Sequence, residues 1–290
     1  MAKLTILRGL PASGKSTLAH QICCDTGNTI RVNKDDLHAM LFNRKWSGKN
    51  RKFVKQAERD IAASAFVNGW NVVVDDTNLV NNGGWDNFTC LNLDKVEVVD
   101  VTTSIDECIR RDRLRDAHGT RVGRAIIEGM ALRAGLVKWP NKRIIIVDID
   151  GTIADLSQRL HCIETPGQKD YELFWACVPW DKPILTVIEW VRNLKREGDF
   201  HIVIVSGRAD NCAKATEDWL LRHDVPCDRL FMRRGGDYRD DAIIKQEILD
   251  LLPKERIEFV IDDRPRVIRM WKANWLKVYP VNQGMWEGRD

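Results

Sequence analysis

A glycine-rich segment near the amino terminus has the residue spacing of a phosphate-binding loop. Residues 9–16 read Gly-Leu-Pro-Ala-Ser-Gly-Lys-Ser and fit the pattern GxxxxGK[ST], between an apolar run and a plausible helix. Glycines let the backbone N–H groups of such a loop face phosphate oxygens, and the lysine neutralises charge on the β- and γ-phosphates. The segment therefore predicts an ATP site in which a serine also holds Mg²⁺. The expected ligands are Gly9, Pro11, Ser13, Gly14, Lys15, Ser16 and Thr17, with Ser16 on the metal.

Carboxylates that could activate an acceptor hydroxyl follow two further apolar runs. Residues 32–36 read Val-Asn-Lys-Asp-Asp, so Asp35 or Asp36 could orient or deprotonate the attacking group. The alternative is that these acids only cap the helix that follows. Residues 75–78 end the second run at the sheet edge where α/β proteins bind ligands, and we expect Asp76 and Asn78 to contact the acceptor.

A positively charged stretch lies between the two halves of the chain. From residue 110 to residue 143 there are ten Lys or Arg residues against three acids. An arginine-rich helix suits a lid that closes on ATP and neutralises transition-state charge, although a solvated helix face is the alternative. The candidate lid arginines are Arg110, Arg111, Arg113, Arg115 and Arg121.

Two carboxylates one residue apart follow a strongly apolar run in the second half. Residues 144–152 read Ile-Ile-Ile-Val-Asp-Ile-Asp-Gly-Thr. Burying such charges without a partner is costly, so a metal ion or a phosphoryl substrate is expected beside them. Asp148 would attack phosphorus to form an aspartyl-phosphate, while Asp150 protonates the leaving oxygen and later activates water.

Three later motifs supply the other parts of this second site. Ser206-Gly207-Arg208 and Asp262-Asp263 each end an apolar run, and Lys245 lies on a predicted helix. Alone, the serine would be a strand-end cap and the lysine a solvated residue, but together they can hold phosphoryl oxygens. Oxygen ligands suit Mg²⁺. The expected metal ligands are Asp148, Asp150, Asp262 and Asp263.

Length and composition favour two ordered α/β domains. The chain has 290 residues, a net charge too small to indicate nucleic-acid binding by itself (+3), and no long Pro/Ser/Gly-rich tract. Short apolar runs alternate with helical segments, including helices predicted near 184–194 and 241–252, which indicates parallel sheets covered by helices. The predicted strands are 4–7, 72–74, 96–101, 144–147, 202–205 and 259–261. The break at 136–143 gives predicted domains 1–138 and 143–290.

Cysteine use and hydropathy indicate the compartment. Eight cysteines occur without a CxxC pair, which favours a reduced cytoplasmic chain. Neither a signal peptide nor a run of about 20 apolar residues is recognisable, so no membrane association is expected.

Together these motifs resemble the phage-type bifunctional polynucleotide 5′-kinase/3′-phosphatase family over nearly the whole chain. The resemblance rests on GLPASGKST, VNKDD, VVVDDTNL, RRDRLRDAHGTR, DIDGT, VSGR, RDDAIIK and VIDDR. It implies a P-loop kinase with a parallel sheet, followed by a Rossmann-like phosphatase of the haloacid dehalogenase type. The implied activities are transfer of the ATP γ-phosphate to 5′-hydroxyl ends of RNA or DNA and removal of 3′-phosphates, in some members with opening of 2′,3′-cyclic ends. A nucleic-acid ligase as functional partner, a phage-encoded protein in the host cytoplasm, and a homo-oligomer are further expectations.

The resemblance also implies roles for individual residues. Asp35 would be the general base of the kinase, and Arg115 or Arg111 the lid arginine of its transition state. His38 stands where such kinases can place an arginine, so its contact with the acceptor strand is expected to be weaker or pH-sensitive. The remaining implied contacts are Arg111 and Arg121 with the nucleotide, and Arg208, Arg239 and Asp241 in the phosphatase site.

Two other readings stay open. The first is a small-molecule kinase fused to a metabolite phosphatase, because neither the loop nor the aspartate pair specifies the acceptor. The other is that one half is a non-catalytic module that binds ends. The intact Lys15, Ser16, Asp148 and Asp150 argue against it, because binding alone does not require them.

Overall fold

The computed structural model describes residues 2–43, 47–79, 88, 96–115, 121–164 and 169–282. Its internal contacts divide the chain into two compact units, Met1–Thr120 and Arg121–Asp290. Each unit contains a parallel sheet covered by helices, which confirms the predicted α/β class. Within these ranges, no helix is both long and apolar enough to span a bilayer. The boundaries 1–138 and 143–290 stay a prediction, and the contacts group residues 121–138 with the second unit.

The first unit has four parallel strands in the order β2-β3-β1-β4. The interior of β1 and β3 is buried on both faces, which suits their Ile, Leu and Val residues. Because parallel strands end at one edge, the segments after β1, β2 and β3 come together there. The elements are β1 Leu4–Arg8, α1 Lys15–Thr26, β2 Thr29–Val32, α2 Lys34–Phe42, α3 Gly48–Val67, β3 Asn71–Asp75, β4 Val96–Asp100 and α4 Ile105–Leu114.

The second unit has five parallel strands in the order β11-β10-β5-β8-β9. Alternate residues of β5 pack into cores on opposite faces of this sheet, Ile145 into one and Ile146 into the other. The elements are α5 Arg124–Arg133, β5 Arg143–Val147, α8 Leu185–Arg196, β8 Phe200–Ala209, α9 Ala213–Arg222, β9 Arg229–Arg233, α10 Asp241–Leu249, β10 Ile257–Asp262, α11 Pro265–Ala273 and β11 Val278–Pro280.

A small insertion follows β5 and stands at the carboxyl edge of this sheet. It is framed by the antiparallel pair β6 Ala154–Asp155 and β7 Lys182–Pro183, and it carries α6 His161–Glu164 and α7 Tyr171–Ala176. Its own small core is formed by Leu156, Leu160, Cys162 and Phe174. We call residues 156–164 and 169–181 the cap segment.

All six predicted strands and both predicted helices are present. The helix predicted near 184–194 is α8, and the one predicted near 241–252 is α10, which ends at Leu249. The sequence did not predict β2, β9 or β11, which are three to five residues long. Each is too short, or too interrupted by charged residues, to give a clear apolar pattern.

Helix α5 is attached to the edge strand β9 by a buried carboxylate. Glu128 is fully buried, and its Oε2 accepts a hydrogen bond from the backbone N–H of Leu230 at 2.6 Å. Its Oε1 lies 3.2 Å from Arg124 Nε and 3.3 Å from Arg229 Nη1. Burial raises the pKa of Glu128, although these partners oppose the shift. Helix α5 is therefore an integral part of the second unit.

We predict that Glu128→Ala destabilises the second unit by about 3–5 kcal/mol, because it removes a buried partner shared by two arginines and a backbone N–H. Urea unfolding followed by tryptophan fluorescence measures this, since Trp219 and Trp271 are fully buried in that unit. Glu107→Ala, at a solvent-facing ion pair on α4, is the control and should leave this transition unchanged. Equal losses in both variants would contradict the assignment.

Candidate active sites

The loop between β1 and α1 has the conformation of a phosphate cradle. Ala12 and Gly14 adopt positive φ angles of 62° and 106°, and no side chain caps the N-terminus of α1. A Cβ atom on Gly9 would lie 2.7 Å from Ser13 Oγ and 2.8 Å from the carbonyl oxygen of Val101. Glycine is therefore required at that position, and the first N–H groups of α1 remain available for an anion.

Lys15 points into this loop. It is 7% exposed, and its Nζ donates hydrogen bonds to the carbonyl oxygens of Gly9 at 3.0 Å and Leu10 at 2.7 Å. Desolvation lowers the pKa of Lys15, against an opposing effect of Asp75. An ammonium group held by neutral carbonyls is a ready partner for phosphate oxygens. Ser16 and Thr17 are exposed on the first turn of α1, where a nucleotide or its metal can reach them.

Two of the predicted lid arginines lie beside the cradle. Arg111 Nη1 donates to the carbonyl oxygen of Ser13 at 3.2 Å, and Thr103 Oγ1 donates to the same oxygen at 2.7 Å. Arg115, at the end of α4, is half-buried, and its charge contributes to the lowered pKa of Lys15. Helix α4 thus adds positive charge to the loop from one side.

Carboxylates gather at the ends of β2 and β3. Asp35 lies in the first turn of α2, two residues after the helix cap Asn33, and is accessible to solvent. The pKa of Asp35 is raised, mainly by desolvation from the surrounding protein and further by the negative charges of Asp76 and Asp36. Asp76 accepts hydrogen bonds from Lys34 N at 3.1 Å and Lys34 Nζ at 2.8 Å. The cap of α2 is formed by the Asn33 side chain, which accepts from Asp36 N. Asp35 is therefore not needed as the cap and can act as a base.

Glu58 is a member of this group that the sequence analysis missed. It lies on α3 and is fully buried, and its Oε2 is 3.1 Å from Lys34 Nζ. Burial, followed by hydrogen bonding and charge repulsion from Asp76, raises the pKa of Glu58 to about 8. Lys34 is thus shared by two carboxylates, one of which is largely protonated at neutral pH.

Two predicted acceptor contacts are internal in this structure. His38 is fully buried beside Phe42, with ring centroids 5.5 Å apart, so its ring does not face an acceptor. Asn78 is also buried, at φ 48°, and its Nδ2 donates to the carbonyl oxygen of Leu7 at 2.9 Å. Its role here is to fix the end of β3 against β1.

The predicted contact of Arg121 with the nucleotide stays a prediction, and the structure shows acidic partners for its side chain. Arg121 belongs to the second unit, where its Nη2 lies 2.5 Å from Glu217 Oε2 and its Nη1 lies 3.6 Å from Asp218 Oδ1. The Arg121 and Glu217 side chains are only 7% and 4% exposed. Opening such a buried pair would leave an uncompensated charge, so the pair stabilises the second unit.

In the second unit, Asp148 leaves the central strand β5 at the carboxyl edge. It is buried, and its Oδ1 lies 2.8 Å from Lys245 Nζ. The same Nζ lies 3.0 Å from Asp262 Oδ2 at the end of β10. The lysine on α10 therefore bridges the carboxylates that end two neighbouring strands.

Three carboxylates around this lysine have the arrangement of a metal site. Among the described residues, Asp148, Asp262 and Asp263 offer oxygen atoms that all lie within 4.8 Å of one another. Burial raises the pKa of Asp148. Lys245 opposes this shift, and the negative charges of Asp262 and Asp263 add to it. The donor set consists only of hard oxygens and carries more negative charge than one lysine balances. It therefore fits a divalent cation such as Mg²⁺.

Asp150 lies outside this cluster, and its role as a metal ligand stays a prediction. Its Oδ1 accepts hydrogen bonds from Arg159 Nη2 at 2.6 Å and from Arg208 Nη2 at 2.5 Å. Burial alone would raise the pKa of Asp150, but the two arginines outweigh it and the pKa is lowered. Two guanidinium groups therefore hold the Asp150 carboxylate on the side of the cap segment and β8.

A second buried acid fixes these two arginines. Asp181, in the cap segment, accepts hydrogen bonds from Arg159 Nε at 2.8 Å and Arg208 Nη2 at 2.6 Å. The Arg159 guanidinium also lies over the Phe174 ring, 4.2 Å from its centroid. The sequence analysis predicted Arg208 from its motif but missed Arg159 and Asp181, because the cap segment carries no recognisable motif.

Two glycines let carboxylates approach the strand ends closely. A Cβ atom on Gly151, which has φ 83°, would lie 1.8 Å from Asp263 Oδ2. A Cβ atom on Gly207 would lie 2.2 Å from Asp241 Oδ1. Both glycines belong to predicted motifs, and any side chain there would displace an acid of the site.

The other predicted residues of this site lie around the same edge. Ser206 is fully buried, and its Oγ accepts a hydrogen bond from Arg208 N at 3.2 Å. Asp241 begins α10, and its Oδ1 accepts from Arg233 Nη2 at 3.2 Å. Arg239 is exposed and forms ion pairs with Asp237 at 2.7 Å and Glu247 at 2.6 Å.

A cavity of about 390 Å³ leads from this site to the surface of the second unit. Asp148 and Asp150 lie among its lining residues on one side, and the cap segment forms another wall. Strand-end and loop residues, among them Gly207, Arg239 and Asp241, complete the lining. The acids are thus accessible through an opening whose size suits a small ligand or a single chain end.

Comparison with known proteins gives a relative that matches over most of this chain. A putative bifunctional polynucleotide kinase/RNA ligase of Autographa californica nuclear polyhedrosis virus is 26% identical over 299 residues. The match covers 93% of this chain but only 41% of that relative's length.

Similar solved structures correspond to the whole chain or to one half. A structure of the Pnkp1/Rnl/Hen1 RNA repair complex has a TM-score of 0.43 and 23% identity, covering 97% of this chain and 96% of that one. The APS kinase CysC of Mycobacterium tuberculosis has a TM-score of 0.32 and 18% identity, and the match covers 47% of this chain and 76% of that one. The class C acid phosphatase of Bacillus anthracis has a TM-score of 0.35 and 15% identity, covering 52% and 72%.

Two family models divide the chain between them. The model described as an AAA domain matches residues 4–136, and the model described as the polynucleotide kinase PNKP phosphatase domain matches residues 142–286. Their order confirms the prediction of a P-loop kinase domain followed by a phosphatase domain, and domains of these kinds use ATP and a divalent metal. Because the second model covers half of the chain, the protein belongs to the polynucleotide kinase phosphatase-domain family.

Proposed function

We propose that this protein repairs broken nucleic-acid ends with two separate phosphoryl-transfer sites. One site would transfer the γ-phosphate of ATP to a 5′-hydroxyl end, and the other would remove a 3′-phosphate. The observation that carries the proposal is the pairing of a lysine-containing phosphate cradle in one unit with an acid–lysine cluster at Asp148 in the other. The family match over residues 142–286 supports a polynucleotide substrate for the second site.

In the first unit, Lys15 would exchange its carbonyl partners for β- and γ-phosphate oxygens. Asp35, with its raised pKa, would accept the proton of the 5′-hydroxyl as that oxygen attacks the γ-phosphorus. A new O–P bond forms while the bond to the leaving ADP oxygen breaks. Arg111 and Arg115 lie beside the cradle and would neutralise charge on the transferred group.

In the second unit, Asp148 would attack the phosphorus of a 3′-phosphate as the bond to the 3′-oxygen breaks, which gives an aspartyl-phosphate. Asp150 would give the 3′-oxygen its proton, then take a proton from the water that attacks the intermediate and releases phosphate. Lys245 and Ser206 would position the phosphoryl oxygens. Mg²⁺, held by Asp148, Asp262 and Asp263, would neutralise charge on those oxygens.

Several finer assignments belong to the same proposal. A ligase would join the ends that this protein prepares, and the name of the viral relative, which includes an RNA ligase, supports that class of partner. We propose that the protein acts on ends of RNA or DNA. We also propose that it is a soluble cytoplasmic enzyme that forms a homo-oligomer.

We predict that the two activities can be separated by substitution. Lys15→Ala or Asp35→Ala should lower transfer from labelled ATP to a 5′-hydroxyl oligonucleotide by at least about 100-fold, a typical loss for a phosphate-stabilising or proton-transfer group. Release of phosphate from a 3′-phosphorylated oligonucleotide should be unchanged. Asp148→Asn should give the reverse pattern.

The same transfer assay is run with sugars and nucleosides in place of the oligonucleotide acceptor. Transfer only to a small metabolite would overturn the polynucleotide assignment. Phosphate release at the wild-type rate by Asp148→Asn would overturn the aspartyl-phosphate mechanism.

We predict that Mg²⁺ raises the thermal unfolding temperature of the second unit. At about 100 times its Kd, a bound ligand stabilises the folded state by ~2.7 kcal/mol. Asp263→Asn should lose most of this shift, because one of the three clustered carboxylates is removed. Asp237→Asn is the control, since Asp237 lines the same cavity but pairs with Arg239. Equal Mg²⁺ shifts in both variants would exclude the proposed ligands.

We predict that Arg159→Gln moves the alkaline limb of the phosphatase pH profile to higher pH. Arg159 is one of the two cations that lower the pKa of Asp150, so its removal should raise that pKa. Asp150 would then stay protonated, and able to act as an acid, at higher pH, although the maximal rate should fall. The profile of kcat/KM measures this, with the exposed Arg222→Gln as control. An unchanged limb, or one at lower pH, would disprove the role of Arg159.

A further inference from the structure

Two tyrosines stand at the mouth of the phosphatase cavity and have no part in the mechanism above. Tyr171 begins α7 in the cap segment, and Tyr238 lies in the loop between β9 and α10. Both line the cavity whose inner wall contains Asp148 and Asp150. Their ring centroids are 5.9 Å apart, and the ring planes meet at 51°.

The exposure of these rings is unusual for so large an apolar surface. Tyr238 is 78% exposed and Tyr171 is 37% exposed. Tyrosine normally buries most of its ring, either in a core or against a ligand. The two rings lie side by side, and most of Tyr238 and part of Tyr171 are open to solvent, so the pair presents a surface that a planar ligand can cover.

The loop that carries Tyr238 is held in place on both sides of the ring. Arg233 Nη1 donates to the carbonyl oxygens of Asp237 at 3.2 Å and Arg239 at 2.5 Å. The Arg239 guanidinium binds Asp237 and Glu247. The residues before and after the tyrosine are therefore both fixed, so little ordering entropy is lost when a ligand binds the ring.

The position of Tyr171 is fixed by the cap segment. Asp170 caps α7 by accepting a hydrogen bond from Leu173 N at 2.9 Å. Further along the same helix, Phe174 packs under the Arg159 guanidinium, which holds Asp150. The helix that presents Tyr171 thus also packs against the arginine that orients the proposed acid.

We propose that Tyr171 and Tyr238 form a stacking site for the base of the nucleotide that carries the 3′-phosphate. This inference rests on the proposed phosphatase function. When the phosphate lies at Asp148, the attached nucleoside must occupy the outer part of the cavity, where these rings are. Every base has a π-face, so stacking binds any terminal base without reading its sequence.

The decisive experiment changes the base as well as the rings. Two 3′-phosphorylated oligonucleotides are compared, identical except that the terminal nucleotide of one is abasic. The wild-type protein should prefer the substrate with the base by roughly 5- to 150-fold in kcat/KM, the range that corresponds to one stacked base. Tyr238→Leu and Tyr171→Leu should each lose most of this preference by slowing only that substrate, whereas Tyr238→Phe should keep it.

Two controls separate stacking from a structural role. Leu173→Ala alters an exposed residue of α7 that does not line the cavity and should keep the preference. Hydrolysis of p-nitrophenyl phosphate, which has no nucleoside, should be unchanged in all of these variants. If Tyr238→Leu or Tyr171→Leu slows all three substrates equally, the rings are structural and the stacking site is wrong.

The outcomes also distinguish this inference from the proposed function. Equal rates on abasic and normal ends by the wild-type protein would overturn the stacking site and leave the 3′-phosphatase intact. Hydrolysis of p-nitrophenyl phosphate without release from either oligonucleotide would overturn the proposed 3′-phosphatase activity on polynucleotides, and the stacking site with it.

Discussion

The need to neutralise carboxylates at the ends of parallel strands governs both units of this protein. Such acids lie where ligands bind in α/β sheets, but they are too enclosed to remain charged without partners. In the first unit Lys34 lies between Asp76 and Glu58. In the second, Lys245 lies between Asp148 and Asp262. In each case a lysine from a helix holds acids from two different elements.

These lysines leave negative charge in excess, and the excess has chemical consequences. In the first unit, protonation of Glu58 removes part of the excess negative charge, because burial and Asp76 raise the pKa of Glu58 to about 8. In the second unit Lys245 lies within 3.7 Å of carboxylate oxygens of Asp148, Asp262 and Asp241, and the pKa of Asp148 is raised by burial and by neighbouring carboxylates. A divalent cation would restore the charged form that a nucleophile requires. Protonation and metal binding are thus two solutions to the same imbalance.

The sequence predicted the residues that belong to a recognisable motif and missed those that do not. Asp148 and Asp262 could be predicted because each follows an apolar run that indicates a strand, and Lys15 because it belongs to the pattern GxxxxGK[ST]. Arg159 and Glu58 lie on segments whose pattern is that of an ordinary surface or amphipathic helix, so only the packed structure shows their contacts. Their partners, Asp181 and Lys34, are 22 and 24 residues away in the sequence.

Arg121 shows what proximity in sequence leaves open. It follows the arginines of α4 closely along the chain, and that proximity favours a shared role on the nucleotide. The contacts instead group it with the second unit, where Glu217 accepts a hydrogen bond from its guanidinium. Charge density along a sequence does not say which unit will bury a given arginine, because that depends on where an acid such as Glu217 lies after folding.

In the proposed mechanism, the cap segment would connect recognition of the terminal base to proton transfer. Arg159 contacts Asp150, Asp181 and the Phe174 ring at once, and Phe174 shares a short helix with Tyr171. A displacement of that helix by a bound nucleoside would therefore reach the arginine through one layer of packed side chains. Because Arg159 is one of two cations that stabilise the Asp150 carboxylate, any such movement would change the pKa of the acid. In the proposed mechanism, recognition of the substrate and protonation of its leaving group would thus depend on the same guanidinium.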